Sequence, residues 1–310
     1  MNPDILNTWF IILNPTSGNG FVKAKKNKIL SSLEKLNSPF QLQFTEYSGH
    51  EEILVKEAIE SGFRKFISVG GDGTLHHVVN GIMHAAGDFL SQIKVAVIPV
   101  GTGNDWVRNY GIPKNIDQGI EVINKGKTIS QDIGLITMGS KEFYFNNLAG
   151  LGFDGFVVKT LPKFKKWGGL SYFLSAIVGL FQYKTPELTI QFEDKEIKTK
   201  AFLMAIGICK YCGGGMRLTH NPDPTDGLLD VTVLNDLSRF SFLLNILKMY
   251  NGKLANHKKV DVFKSRKLKV VLGENESPFI QLDGELIDSE NFEVEVLPKT
   301  LKFVVSELKK

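Results

Sequence analysis

The first hundred residues alternate short apolar runs with longer amphipathic segments, and no other feature narrows the fold as much. TWFIIL is followed by VKAKKNKILSSLEKL, FQLQFT by EEILVKEAIES, KFISV by LHHVVNGIMHAA, and the series closes on KVAVIPV. Runs of strand length separated by segments of helical period predict βαβ units, and so a parallel sheet with helices on both faces. Ligands of such sheets sit beyond the carboxyl ends of the strands. The unusual residues cluster there: NPTSGNG at 14–20, GGDGT at 70–74 and GTGND at 101–105. Loops so rich in glycine can wrap backbone N–H groups around something small, and a phosphate suits them best.

From about Gln131 the texture changes to short segments of strand composition separated by turn residues: DIGLITM, KEFYFNNLAG, ELTIQFED, KEIKTKAFLMAIGI, LLDVTVL, KLKVVLG, FIQLDGEL and FEVEVL. This pattern predicts a β-sandwich of antiparallel strands. The expected fold class is α/β plus all-β. An N-terminal parallel-sheet domain spans 1–133 and a β-sandwich domain 134–298, and the tail at 299–310 returns to the first domain as a strand. Two apolar helices are expected within the second domain, at 170–183 and 239–252.

A chain of 310 residues, 43% hydrophobic, can fill two cores. Its formal net charge of +4 is a mild basic bias that favours contact with phosphates or anionic surfaces. The N-terminus has no basic region before its apolar run, and no apolar stretch reaches the roughly 20 residues of a membrane-spanning helix. The chain reads as cytosolic. Its two cysteines, Cys209 and Cys212, lie in a C-x-x-C without the second ligand pair of a zinc site, so they read as ordinary thiols.

The three glycine loops at 14–20, 70–74 and 101–105 hold neither a Walker loop, G-x-x-x-x-G-K-[ST], nor a dinucleotide fingerprint, G-x-G-x-x-G. GGDGT remains, followed directly by the helix-like LHHVVNG, so an anion there would also meet a helix N-terminus. Thr74 adds a hydroxyl donor. His76 and His77 are adjacent on that helix, point about 100° apart and cannot easily share a ligand.

NPTSGNG, TEYSGH, VGGDGTLHHVVNG, PVGTGNDWVR, NLAGLGFDG, GGGM, DGLLDV and LDGE, in this order, resemble the bacterial soluble lipid kinases of the diacylglycerol kinase catalytic-domain family. The resemblance implies two domains with ATP in the cleft between them, and transfer of the γ-phosphoryl group to a lipid hydroxyl. Matched residue by residue, it implies nucleotide contacts at Asn14, Pro15, Thr16, Ser17 and Gly18, at Thr45, at Gly70, Gly71, Asp72, Gly73 and Thr74, and at Gly101, Thr102 and Asn104. Where many relatives have Asn-Glu after GGDGT-L, this chain has His76 and His77.

Phosphoryl transfer needs a divalent metal and a base for the acceptor hydroxyl. Asp72 is the candidate to hold the nucleotide's Mg²⁺ through water, because Mg²⁺ takes few protein oxygens and keeps several waters. One of Asp283 and Glu285 is, by the resemblance, the general base, and the place of Asp283 at a strand end before a glycine favours it. Asp223, Asp226 and the carbonyl of Leu228 offer an all-oxygen set within one loop, which the resemblance makes a structural Mg²⁺ site. Asp230 is expected to cap that loop or start a strand.

Lys159, Lys163, Lys165 and Lys166, interleaved with Phe164 and Trp167 ahead of an apolar helix, form an interfacial pattern. Lys163, Lys165, Lys166 and Trp167 are therefore expected to touch a membrane surface where the lipid substrate resides. Nucleic acid is not an expected partner, and a homodimer is allowed. Two rival readings stand beside the lipid kinase: a kinase for a soluble acceptor such as a nicotinamide dinucleotide, and a catalytically silent nucleotide or lipid sensor. The joint presence of Asp72, Asp223, Asp226, Asp283 and Glu285 weighs against the sensor.

Overall fold

A computed structural model of the chain describes residues 3–18, 20–160, 163, 174, 179–180, 183–237 and 239–306. It divides into two compact units, residues 1–131 with 299–310, and residues 132–298.

The first unit runs α1 (Pro3–Asn7), β1 (Trp9–Leu13), α2 (Phe21–Ala24), α3 (Lys26–Leu33), β2 (Phe40–Phe44), α4 (His50–Glu60), β3 (Lys65–Gly70), α5 (Asp72–Ala85), β4 (Lys94–Pro99), α6 (Asp105–Asn109) and α7 (Ile116–Lys125). Its strands pair in parallel in the order β2-β1-β3-β4, with Trp9 in register with Phe40 on one side and Lys65 on the other. Beyond β4, the tail residues Lys302 and Phe303 pair in parallel with Lys94 and Val95. The runs WFIIL, FISVG and VAVIP are buried on both faces, as helix-covered parallel strands require. Ile11, Leu13, Ile67, Val69 and Ile98 form one core with Ile29 and Leu33 of α3 and Ile116, Ile120 and Ile123 of α7. Asn115 caps α7 by accepting the Gln118 N–H, and Gly126 ends it in a left-handed conformation.

Two helices differ from the periodicity reading. VKAKKNKILSSLEKL breaks at Lys25, whose φ of −113° and ψ of 18° leave the helical region between α2 and α3. α5 begins at Asp72 rather than after Thr74, so the last three residues of GGDGT are the first turn of the helix.

The second unit continues β5 (Thr128–Met138), β6 (Lys141–Phe145), β7 (Leu148–Gly152), α8 (Phe153–Thr160), β8 (Glu187–Phe192), β9 (Glu196–Gly207), β10 (Leu229–Asn235), α9 (Arg239–Asn251), β11 (Val260–Ser265), β12 (Lys267–Leu272), β13 (Ile280–Leu282), β14 (Glu285–Ile287) and β15 (Phe292–Val304). The strand pairs within it are antiparallel. β9 shows the sequence logic: its first half alternates in exposure and pairs with β8, while AFLMAIG is buried throughout and pairs with β7 and β10. Phe153, Val157, Phe202, Leu203, Leu218, Phe242 and Met249 build its core, with the Phe153 and Phe202 rings stacked at 4.7 Å. The helix expected at 239–252 is α9. Most of the one expected at 170–183 lies outside the described residues, as do Phe164, Lys165, Lys166 and Trp167. Among the described residues, no helix is long and apolar enough to cross a membrane.

Candidate active site

Three strand-end segments of the first unit are tied into one hydrogen-bonded network. Asn14, just past β1, donates its amide to Thr74 Oγ1 at 3.2 Å and to Glu51 Oε1 at 3.3 Å. Its own Oδ1 accepts the Thr16 N–H at 3.0 Å and the Thr16 hydroxyl at 2.8 Å, folding PTS back over the strand end. Ser17 Oγ lies 3.5 Å from Thr74 Oγ1. Pro15 and Gly18 complete this turn, Gly18 with a φ of 68°. Thr45, at the end of β2, is buried and donates its backbone N–H to Leu13. Asn14, Thr16, Ser17 and Thr74 thus lie together at these strand ends.

The other two glycine loops use their glycines on each other. A Cβ on Gly71 would lie 3.2 Å from the Gly101 Cα, and one on Gly101 would run into the Gly71 backbone. Asp72 fastens this contact: its Oδ1 accepts the N–H groups of Asp105 at 2.9 Å and Trp106 at 3.2 Å, and its Oδ2 that of Asp105 at 3.1 Å. Asp72 therefore serves the first turn of α6 as a capping carboxylate supplied from another helix. Asn104 takes a φ of 54° there and donates its amide to the Gly101 carbonyl at 2.6 Å. Thr102 is exposed on the same loop, Gly70 closes β3 with its Cα against the Thr74 side chain, and Gly73 lies in the first turn of α5.

In the second unit, the DGE turn joins β13 to β14. Asp283 adopts a φ of 53°, unusual outside glycine. Its carboxylate accepts three backbone N–H groups, Asn146 at 3.0 Å, Asn147 at 3.0 Å and Leu148 at 2.9 Å, and its own N–H returns to the Leu148 carbonyl. Gln281, buried, holds the turn from the other side: its carbonyl oxygen accepts the Gly284 N–H at 2.7 Å while its amide donates to Asp154 at 2.6 Å. Gly150 is glycine because a Cβ would collide with Asp154 and Gln281. Glu285 opens β14, partly exposed, and its side chain has no hydrogen bond or ion pair among the described residues.

The 223–228 loop is folded by its own carboxylates. Asp223 Oδ1 accepts the N–H and hydroxyl of Thr225, and Asp226 Oδ1 accepts the Leu228 N–H at 3.0 Å. Asp226 Oδ2 meets the Lys264 ammonium at 2.8 Å. Two carboxylates and a carbonyl are the donors a hard cation takes, but Lys264 already balances one of them. Among the described residues, no group of three or more His, Cys, Asp or Glu side chains could hold a metal. Asp230 is the second residue of β10; burial, partly offset by Lys264, pushes its carboxyl up to about 6.

His77 pairs with Glu52 at 2.8 Å and His76 is buried, so the two serve different neighbours. Cys209 and Cys212 are free, buried thiols. Sequence reasoning missed Glu51, which reads as part of a solvated first turn, and the Asp154–Gln281 pair, which no spacing connects.

Residues 8–136 match the family model described as the diacylglycerol kinase catalytic domain, and residues 148–305 that of the YegS C-terminal NAD kinase beta sandwich-like domain. A protein of Bacillus subtilis strain 168 named diacylglycerol kinase is 28% identical over 278 residues, covering 89% of this chain and 88% of that one. One of the same name from Staphylococcus carnosus strain TM300 is 28% identical over 279 residues, covering 89% and 87%. A crystal structure described as a diacylglycerol kinase from Bacillus anthracis strain Sterne has the same fold, with a TM-score of 0.72 at 21% identity over 97% of each chain. A parallel α/β unit with the GGDGT segment at its strand ends, followed by an antiparallel unit that matches the β-sandwich of the same architecture, places this chain in the diacylglycerol kinase catalytic-domain family.

Proposed function

We propose that this protein is an ATP-dependent lipid kinase that transfers the γ-phosphoryl group to the hydroxyl of diacylglycerol or a related lipid. The observation that carries the reading is the joining of Asn14, Thr16, Ser17 and Thr74 into one polar network beside the Gly71–Gly101 contact and the N-terminus of α5. Hydroxyl, amide and helix-terminal N–H donors gathered in this way fit the phosphates of a nucleotide. ATP would supply the transferred group and its Mg²⁺ the neutralising charge. Asn14 and Thr74 orient the phosphates, and Asp72 keeps the 101–105 loop against the 70–74 segment. A water-mediated role of Asp72 toward the nucleotide's Mg²⁺ is compatible with its hydrogen bonds, because that role needs no direct ligation.

Asp283 was favoured by sequence as the base. Three backbone N–H groups on its carboxylate support a positioning role instead, and Glu285, with no such partners, is the carboxylate that takes the proton of the acceptor hydroxyl at its oxygens. A structural Mg²⁺ at Asp223, Asp226 and the Leu228 carbonyl would take over from Lys264 at Asp226. Lipid reaches the enzyme at a membrane surface, with Lys163, exposed, among the residues that would touch it.

The description of the second domain as NAD kinase-like supports a second reading, in which the acceptor is a soluble dinucleotide. Labelled ATP and Mg²⁺, offered with diacylglycerol and other lipid alcohols in mixed micelles and with nicotinamide dinucleotide in solution, separate the two. Label in lipid alone is expected. Label in the dinucleotide alone establishes the second reading, and label in neither refutes both.

A further inference from the structure

Glu51 is the one member of the phosphate-side network whose chemistry opposes the ligand proposed there. It lies in the first turn of α4, is 1% exposed, and offers one oxygen to the Asn14 amide at 3.3 Å. Its other oxygen, Oε2, is buried without a hydrogen-bond partner. A buried carboxylate oxygen that lacks a partner is costly when charged and much less so when protonated. Burial is the largest influence on this carboxyl and raises its proton affinity, against the opposing effects of its own N–H, His77, the Asn14 amide and the Gly49 N–H.

Asn14 connects this carboxyl to the cradle directly, since one amide nitrogen serves both Glu51 and Thr74. A polyanion settling against Asn14, Ser17 and Thr74 adds like charge to a site that already holds a poorly solvated carboxylate, and like charge favours the neutral acid. The other titratable groups around it are His77 of α5, paired with Glu52 of α4, and His50 on its own helix, whose Nδ1 accepts the Glu46 N–H.

We propose that Glu51 is a positioning residue of the nucleotide cradle, one that holds the Asn14 amide and takes a proton from solvent onto Oε2 when phosphates bind. The protonated form keeps the bond to Asn14 through Oε1 and turns Oε2 from an acceptor into a donor, the polarity compatible with neighbouring phosphate oxygens. The inference rests on the nucleotide reading of this site and not on the identity of the acceptor.

The test is calorimetric titration of the full chain and of Glu51→Gln with Mg²⁺ and ADP, or with an imido analogue of ATP, in pairs of buffers of different ionisation enthalpy. The unmodified protein is expected to take up as much as about one proton more than the variant. Its Kd should weaken as pH rises, by up to about tenfold per pH unit, a slope the variant lacks. Equal proton uptake and equal pH dependence overturn the proposal while leaving the nucleotide reading intact; absence of nucleotide binding by the unmodified protein overturns both. If Glu51→Gln does not fold, difference infrared spectroscopy of the unmodified chain decides. A protonated-carboxyl stretch must appear on adding nucleotide, and its absence overturns the assignment.

Discussion

Replacing Asp283 by Asn separates a structural role from a chemical one. The carboxylate binds the N–H groups of Asn146, Asn147 and Leu148 at 2.9–3.0 Å, the last two through the same oxygen. Asn tolerates the left-handed φ of 53°, so the turn itself is not strained by the change. Its carbonyl oxygen can still serve Asn147 and Leu148, now as a neutral acceptor, while its NH₂ group faces the Asn146 N–H, donor against donor. Hydrogen bonds to a charged group contribute about 1.5–3 kcal/mol and neutral ones about 0.5–1.5, so one lost bond and two weakened ones sum to about 4 kcal/mol. Denaturant unfolding measures the total, and amide exchange at Asn146, Asn147 and Leu148 reports the local loosening. Asp283→Ala should be no milder, because it leaves three N–H groups unserved. The reasoning fails if Asp283→Asn is within 1 kcal/mol of the parent, keeps its amide protection, and loses 10²–10⁴-fold in kcat. Those are the marks of a base and not of a staple.

Glu285→Gln is expected to lower kcat by about 10²–10⁴-fold with ATP binding and stability retained, and near-normal turnover would remove Glu285 as the base. Gly101→Ala should destabilise the first unit more than Gly71→Ala, since its Cβ meets backbone at closer range; thermal unfolding of the pair gives the order, and the reverse order contradicts the loop contact. Asp230 has its folded pKa raised to about 6, so the stability that protonation lends is present below about pH 4 and lost as pH rises through 6. Asp230→Asn should therefore gain on the parent between those values, by no more than about 3 kcal/mol, and parallel stability–pH curves would refute this. Lys163, Lys165 and Lys166 changed together to Glu should weaken binding to anionic vesicles, with added salt mimicking the effect on the parent. Undiminished binding would make the segment a solvated surface.

The alternation of apolar runs with amphipathic segments was enough to predict a parallel α/β unit, and the short strand-like segments after Gln131 an antiparallel one. A run such as WFIIL or VAVIP, apolar on both faces, has few ways to be buried except between helices in a parallel sheet. The glycine segments were legible for a related reason: residues that must sit close to other backbone leave a visible mark in composition. Their partners were not. That Gly71 packs against Gly101, thirty residues away, and that Asp72 caps a different helix from the one it begins, depends on which strand ends become neighbours.

The same distinction explains Glu51 and Asp283. One lies in a helical first turn where acids are common, the other in an Asp-Gly pair that reads as any hairpin, and in isolation both would be solvated. Only tertiary structure buries the first against Asn14 and brings three N–H groups from 135 or more residues away onto the second. Local sequence determined the elements and the kinds of atom at their ends, because periodicity and backbone freedom are properties of neighbouring residues. The protonation and hydrogen-bond partners of a carboxylate are set by which distant backbone surrounds it, and that was decided only when the chain closed on itself.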